Sequence, residues 1–159
     1  MDKEQLQNLI KELIEKTTVK TTGISIIDDG SKRWFGVEVN EPHFFIERGG
    51  EALQALNHLV RRIVESKMLP TEVGTENNSN NIVIDINGFQ KKRIENVRSL
   101  AHIMSERARY FKSNIEIDPM SSFERRIVHE FLANAIDLKT ESIGLGPSRR
   151  VVIKYVGAI

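Results

Sequence analysis

DPMSSFERRIVHEFLANAIDLKTESIGLGPSRR, Asp118 to Arg150, is the stretch on which the fold turns. Ser121 and Glu124 stand at the spacing of a capping box, and Pro119 just upstream bars an earlier helix start. The helix that follows places Phe123, Ile127, Val128, Phe131, Leu132, Ala135 and Ile136 on one broad apolar arc. Arg125 and His129, four residues apart, are neighbours at the border of that arc, while Arg126 and Glu130 point to water. A cation and a titratable ring beside a buried face make either a structural hydrogen-bond pair or a ligand-contacting pair.

Downstream, Lys139–Ile143 and Arg150–Val156 read as strands around the turn Gly144-Leu145-Gly146-Pro147. Upstream, Ile115–Ile117 is a short strand, and Asn87-Gly88 opens a long helix with Ile94, Val97, Leu100, Ala101, Met104 and Ala108 on one face. Before it, Ile82–Ile86 alternates as a strand and Pro70–Asn80 is a polar loop. Glu51 to Lys67 reads as a helix buried through Leu53, Leu56, Leu59, Val60 and Ile63, with Arg61 and Arg62 on or near its solvent side. Phe44-Phe45-Ile46 forms a short apolar segment after Pro42. Val19–Ile27 and Trp34–Val39 are strands joined by a turn at Asp28–Ser31, and Asp2 to Lys16 is an amphipathic helix. Ile24 and Ile26, with Trp34 and Val37 or Val39, are expected to supply part of a first core.

ERRIVH followed by TESIGLGPSRRVVI closely resembles the R-three-H domain, a small single-stranded nucleic-acid-binding module. The resemblance runs upstream through VIDINGFQKKRIENVRSLAHIMSERA and GGEALQALNHLV. That order, a KH-like domain and then an R-three-H domain, is similar to the bacterial Jag (KhpB, SpoIIIJ-associated) family of RNA-binding proteins. It implies an α/β (α+β) chain, with a type II KH-like domain over 1–87 packed against a small R-three-H domain over 88–159 and no flexible linker between them. Compared with many family members, an extra N-terminal domain and its basic linker are expected to be lacking, so functions resting on them are not carried over.

The site residues follow from this alignment. Arg125 and His129 carry over by motif. His129 is read either as stacking on a base or donating to phosphate, or as locking Arg125 in place at the core edge. Ser142, Ser148, Arg149 and Arg150 flank the Gly144–Pro147 turn, where backbone amides and two arginines can hold a phosphate. The KH family grips four nucleotides with a Gly-x-x-Gly loop, whose glycines let phosphates reach backbone N–H groups. Here Gly50 takes the second glycine position, Arg48 and Gly49 the middle ones, and Glu47 replaces the first glycine. A carboxylate there repels phosphate unless it turns away or pairs with Arg48. Lys91, Lys92 and Arg93 crowd the first turn of the long helix against its macrodipole. They call either for a compensating anion, such as a nucleic-acid backbone, or are simply a solvated face. Aromatic side chains are few, with Tyr110 and Phe111 the exceptions as stacking residues.

Composition agrees with a binding protein. Residues 1–87 hold 10 Lys and Arg against 14 Asp and Glu, a net −4, whereas 88–159 hold 13 against 8, a net +5. The positive half is the expected seat of a polyanion. With no cysteine, disulfides and Cys-type zinc sites are excluded. His43, His58, His102 and His129 show no metal-ligand spacing, and no phosphate-binding loop of nucleotide enzymes is present. The expectation is a non-enzymatic cytoplasmic RNA-binding protein without metal, cofactor or membrane segment, acting as an RNA chaperone or post-transcriptional regulator. Its partners are single-stranded RNA, or alternatively single-stranded DNA, with a small KH-only protein or a second copy of the chain beside it. The rival is a protein-interaction scaffold with a degenerate KH domain.

Overall fold

Asp2 opens the first helix, α1 (Lys3–Glu15): its carboxylate accepts from the Gln5 amide at 2.8 Å, and the Gln5 side chain returns the bond to Asp2 N. Leu6, Ile10 and Ile14 recur at helical spacing and are buried. The protein, described by a computed structural model over residues 1–67 and 81–157, continues as an α/β (α+β) chain. The expected loop over Pro70–Asn80 lies outside the described residues. Two units divide between Gln90 and Lys91.

The first unit carries a mixed sheet. Strands β1 (Thr21–Asp28) and β2 (Arg33–Val39) pair antiparallel, and β2 pairs parallel with β3 (Ile82–Ile86), in the order β1-β2-β3. Phe35, Val37 and Val39 alternate inward onto Ile82, Ile84 and Ile86, and α1 joins this core. Trp34, expected in that core, falls on the opposite side of the pleat. Its indole N–H donates to Asp29 Oδ2 at 3.2 Å instead.

Helix α2 (His43–Lys67) is broken at Glu47–Gly50, where Arg48, Gly49 and Gly50 take φ of 52°, 70° and 84°. Beyond the break it buries Leu53, Leu56, Val60 and Val64. Leu59 is left exposed and Ile63 half-buried, so the buried stripe lies further round the helix than expected. The reason is polar. Asn57 is buried and clamps Ile84, donating to its carbonyl at 2.9 Å and accepting from its amide at 2.8 Å. Arg61, expected towards solvent, donates through Nε and Nη2 to the Ile82 carbonyl at 3.1 and 3.0 Å. Together the two side chains cap the Ile82 carbonyl and both backbone groups of Ile84 on the free edge of β3.

In the second unit, α3 (Phe89–Phe111), whose first two residues lie in the first unit, buries Val97, Ala101, Ser105 and Ala108. The sheet is antiparallel in the order β4-β6-β5, from β4 (Ile115–Glu116), β5 (Leu138–Ile143) and the central β6 (Arg150–Tyr155). Helix α4 (Ser122–Leu132) begins on the Ser121–Glu124 capping box. It covers the sheet with Ile127, Val128 and Leu132. The wider arc is not realised: α4 stops at Leu132, and Phe123, Phe131 and Ile136 remain exposed. Arg109 closes the unit with a fork onto Asp137, Nε to Oδ2 at 2.7 Å and Nη2 to Oδ1 at 3.0 Å.

Candidate nucleic-acid interface

Arg125 and His129 rise from the same flank of α4 but are held by different elements. Arg125 Nη1 donates to the Met120 carbonyl at 2.7 Å, closing over the segment that precedes its own helix. His129 Nδ1 lies 2.6 Å from Thr140 Oγ1 on β5. The two make no hydrogen bond with each other, so the histidine does not lock the arginine. Both are half-buried, which leaves part of each polar head at the surface.

Two residues further along the same side of β5, Ser142 receives a second cation. Arg149 Nε donates to Ser142 Oγ at 2.9 Å and Nη1 to the Gly144 carbonyl at 3.2 Å. Met120 N in turn donates to the Arg149 carbonyl at 3.2 Å, joining the turn to the start of α4. Hydroxyls of neighbouring β5 residues thus orient His129 and Arg149, and Met120 ties Arg125 to the same rim. Gly144 is required at its place: its φ is +94°, and a Cβ would stand 3.0 Å from the Ser148 carbonyl.

Arg150 and Ser148 stand differently. Arg150 begins β6 on the side of the sheet away from Val151 and Ile153. Its Nη1 is 3.6 Å from Glu116 Oε2 and its Nε donates to the Ser148 carbonyl at 3.3 Å. The adjacent arginines are therefore split between the rim and the other sheet face. The Ser148 hydroxyl donates to the Leu145 carbonyl at 2.7 Å within the turn.

At the start of α3, Lys91 and Lys92 are exposed, but Arg93 is committed within the fold. Its Nε donates to Glu124 Oε1 at 3.1 Å, its Nη2 to Ser121 Oγ at 3.3 Å, and its guanidinium lies 5.5 Å from the centre of the Phe123 ring. Burial alone raises the Glu124 carboxyl, but the Ser121 amide and the Arg93 guanidinium outweigh it and hold Glu124 below its usual range. The anion that the first turn of α3 calls for is also partly built in, because the buried Asp85 carboxylate accepts from Gln90 N at 2.8 Å.

In the first unit, Glu47, Arg48 and Gly49 are exposed, and Glu47 makes no ion pair with Arg48. Gly50 is buried against Phe89, whose Cε1 would stand 2.8 Å from an added Cβ. Packing, together with φ of +84°, accounts for glycine at this position without a phosphate. Sequence reasoning has no signal for the ordering partners Met120 and Thr140, which are ordinary residues until the fold places them.

Residues 95–155 match the R-three-H domain family. Across 95% of its length the chain is 26% identical to the RNA-binding protein KhpB of Clostridium symbiosum, covering 67% of that protein. The KhpB of Bacillus subtilis (strain 168) is 32% identical over 77 residues, and that of Streptococcus pneumoniae serotype 2 is 24% identical over 146. These matches span 37% and 41% of the two relatives' own lengths. The second unit thus carries the R-three-H match, within a chain similar over nearly its whole length to the KhpB of Clostridium symbiosum.

Proposed function

We propose that the chain is a non-enzymatic, single-stranded RNA-binding protein of the cytoplasm, and that its second unit supplies the principal binding surface. The observation that carries this reading is the rim on which Arg125, His129 and Arg149 are each oriented by a hydrogen bond to Met120, Thr140 and Ser142 while remaining partly at the surface. Guanidinium groups so arranged suit phosphate oxygens, and an imidazole suits either a phosphate or a base face. The net +5 over 88–159 favours the same placement. The relatives' description as RNA-binding proteins supports RNA over DNA.

In this reading the first unit is a KH-like domain whose Glu47–Gly50 loop contributes little affinity, since Glu47 is exposed and unneutralised by Arg48. That loop favours a second role for the unit, pairing with a KH-only protein or with a second copy of the chain. Cellular work as an RNA chaperone or post-transcriptional regulator fits a protein that holds RNA without chemistry. Ultraviolet crosslinking in cells, followed by sequencing of the bound nucleic acid, tests the proposal. RNA crosslinked to peptides of α4 and the Gly144–Arg149 turn is expected. Recovery of DNA alone, or of no nucleic acid, overturns it.

A further inference from the structure

Tyr110 and Phe111, at the end of α3, are 82% and 64% exposed, with their ring centroids 5.0 Å apart in an edge-to-face arrangement. Neither ring serves the core, which is built here from Ala108, Ile117 and Leu138. Two adjacent large aromatic rings left in water lose the burial that usually accounts for them. Their surroundings are cationic. Arg107 and Lys112 are exposed and carry no ion pair among the described residues, whereas the nearby acids Glu106 and Asp137 are both taken by Arg109. Lys112 also holds the left-handed φ of 48° at the helix end, with Ser113 N donating to the Ala108 carbonyl at 3.2 Å.

This place is distinct from the arginine–histidine rim. Arg109 ties the end of α3 to Asp137, and Asn114 Oδ1 accepts from Tyr155 N at 3.3 Å, so the rings belong to the Leu138–Tyr155 end of the β5–β6 pair. The rim turn joins its other end, at Ile143 and Arg150. Five residue steps of strand separate them, roughly 17 Å.

We propose that Tyr110 and Phe111 form a second RNA contact, a stacking site for bases of a single strand whose phosphates are held elsewhere on the unit, with Arg107 and Lys112 as its local cations. The inference rests on the RNA-binding reading above. A base has a π-face whatever its identity, so the site accepts single-stranded RNA without regard to sequence. The alternative occupant of an exposed apolar pair, a protein surface, leaves the flanking unpaired cations without a role.

The test measures affinity of the full chain for a fluorescein-labelled oligouridylate by anisotropy across a salt series. Tyr110→Ala and Phe111→Ala should each weaken binding by roughly five- to tenfold, with the slope of affinity against salt unchanged, because stacking releases no counterions. Tyr110→Phe, which keeps the ring, should bind as the parent does, and Phe111→Leu, which keeps only apolar bulk, should behave like Phe111→Ala. All four should melt with the parent, since both rings are exposed.

Full affinity of both alanine variants, alongside weakened Arg125→Ala, overturns the stacking site and leaves the RNA reading standing. Full affinity of Phe111→Leu alone also overturns it, because an apolar side chain without a π-face then suffices. Self-association of the parent that Tyr110→Ala abolishes assigns the pair to a second copy and overturns it too. A parent that binds no oligonucleotide overturns both readings.

Discussion

The imidazole Nδ1 of His129 stands 2.6 Å from the hydroxyl of Thr140, so the histidine of the Arg-x-x-x-His pair is held by the sheet and not by its arginine. Stability and binding should separate accordingly. His129→Ala is expected to weaken RNA binding and to cost about 1 kcal/mol, the worth of one part-buried hydrogen bond. Thr140→Val should cost a similar amount, and the double variant less than the two together. Arg125→Ala should act mainly on binding. Urea unfolding and fluorescence anisotropy measure the two effects, and strict additivity of the His129 and Thr140 losses would sink this assignment.

Arg149 spans its turn, reaching Ser142 at 2.9 Å and the Gly144 carbonyl at 3.2 Å. Arg149→Ala should therefore lower stability by about 1 kcal/mol as well as weaken binding. Arg149→Lys should recover neither fully, because an ammonium lacks the planar fork that serves two acceptors at once. Chemical denaturation of the two variants checks this, and a lysine variant as stable as the parent contradicts it.

Local patterns make much of this legible in the sequence. The Ser121–Glu124 spacing marks the start of α4, and alternation marks Ile82–Ile86 to the residue. What a sequence does not disclose is pairing across distance. Arg93 meets Glu124 and Arg109 meets Asp137 through folding, and nothing near either arginine names its partner. Trp34 departs from expectation because hydrophobicity argues for burial, whereas the pleat puts Phe35, Val37 and Val39 on the inner face and leaves Trp34 to Asp29. The apolar arc of α4 overreaches for a similar reason, since an apolar count does not show where a helix ends. At the candidate site, motif spacing names Arg125 and His129 but gives no means of separating Arg149 from Arg150.

Gly50 and Gly49 offer a contrast in why glycine is present. Both have positive φ, but an added Cβ at Gly50 meets Phe89 at 2.8 Å and one at Gly49 meets nothing within 4 Å. Gly50→Ala should destabilise the first unit by about 2–3 kcal/mol through strain and overpacking together. Gly49→Ala should cost about 1 kcal/mol from backbone conformation alone. Thermal unfolding monitored by circular dichroism should rank the variants in that order, and equal losses would remove the role given to Phe89.

Acid should act visibly on the β1–β2 turn. The Lys32 amide, followed by the Ser31 hydroxyl and amide and the Trp34 indole, holds the Asp29 carboxyl down to about 2 from its ordinary 3.8. A carboxyl depressed by folding contributes stability that is complete above its unfolded value and is lost as pH falls through its folded one. Stability should thus fall as pH drops from 3.8 to about 2, the window set by those two values, and emission from Trp34 in the folded protein should change as pH approaches about 2. Asp29→Asn should remove that step. Persistence of an identical transition in the asparagine variant would assign it to other carboxylates.

Salt tests the central claim most directly. A rim whose Arg125 and Arg149 neutralise roughly two phosphates of a single strand should give a log–log slope of affinity against salt of about −1.4. We expect the full chain to bind a single-stranded oligoribonucleotide tightly at low salt, to lose affinity with about that slope, and to show a shallower slope once Arg125 and Arg149 are replaced together by alanine. Affinity that is flat across the salt range, or a slope untouched by that double replacement, would contradict the placement of the RNA site on the second unit.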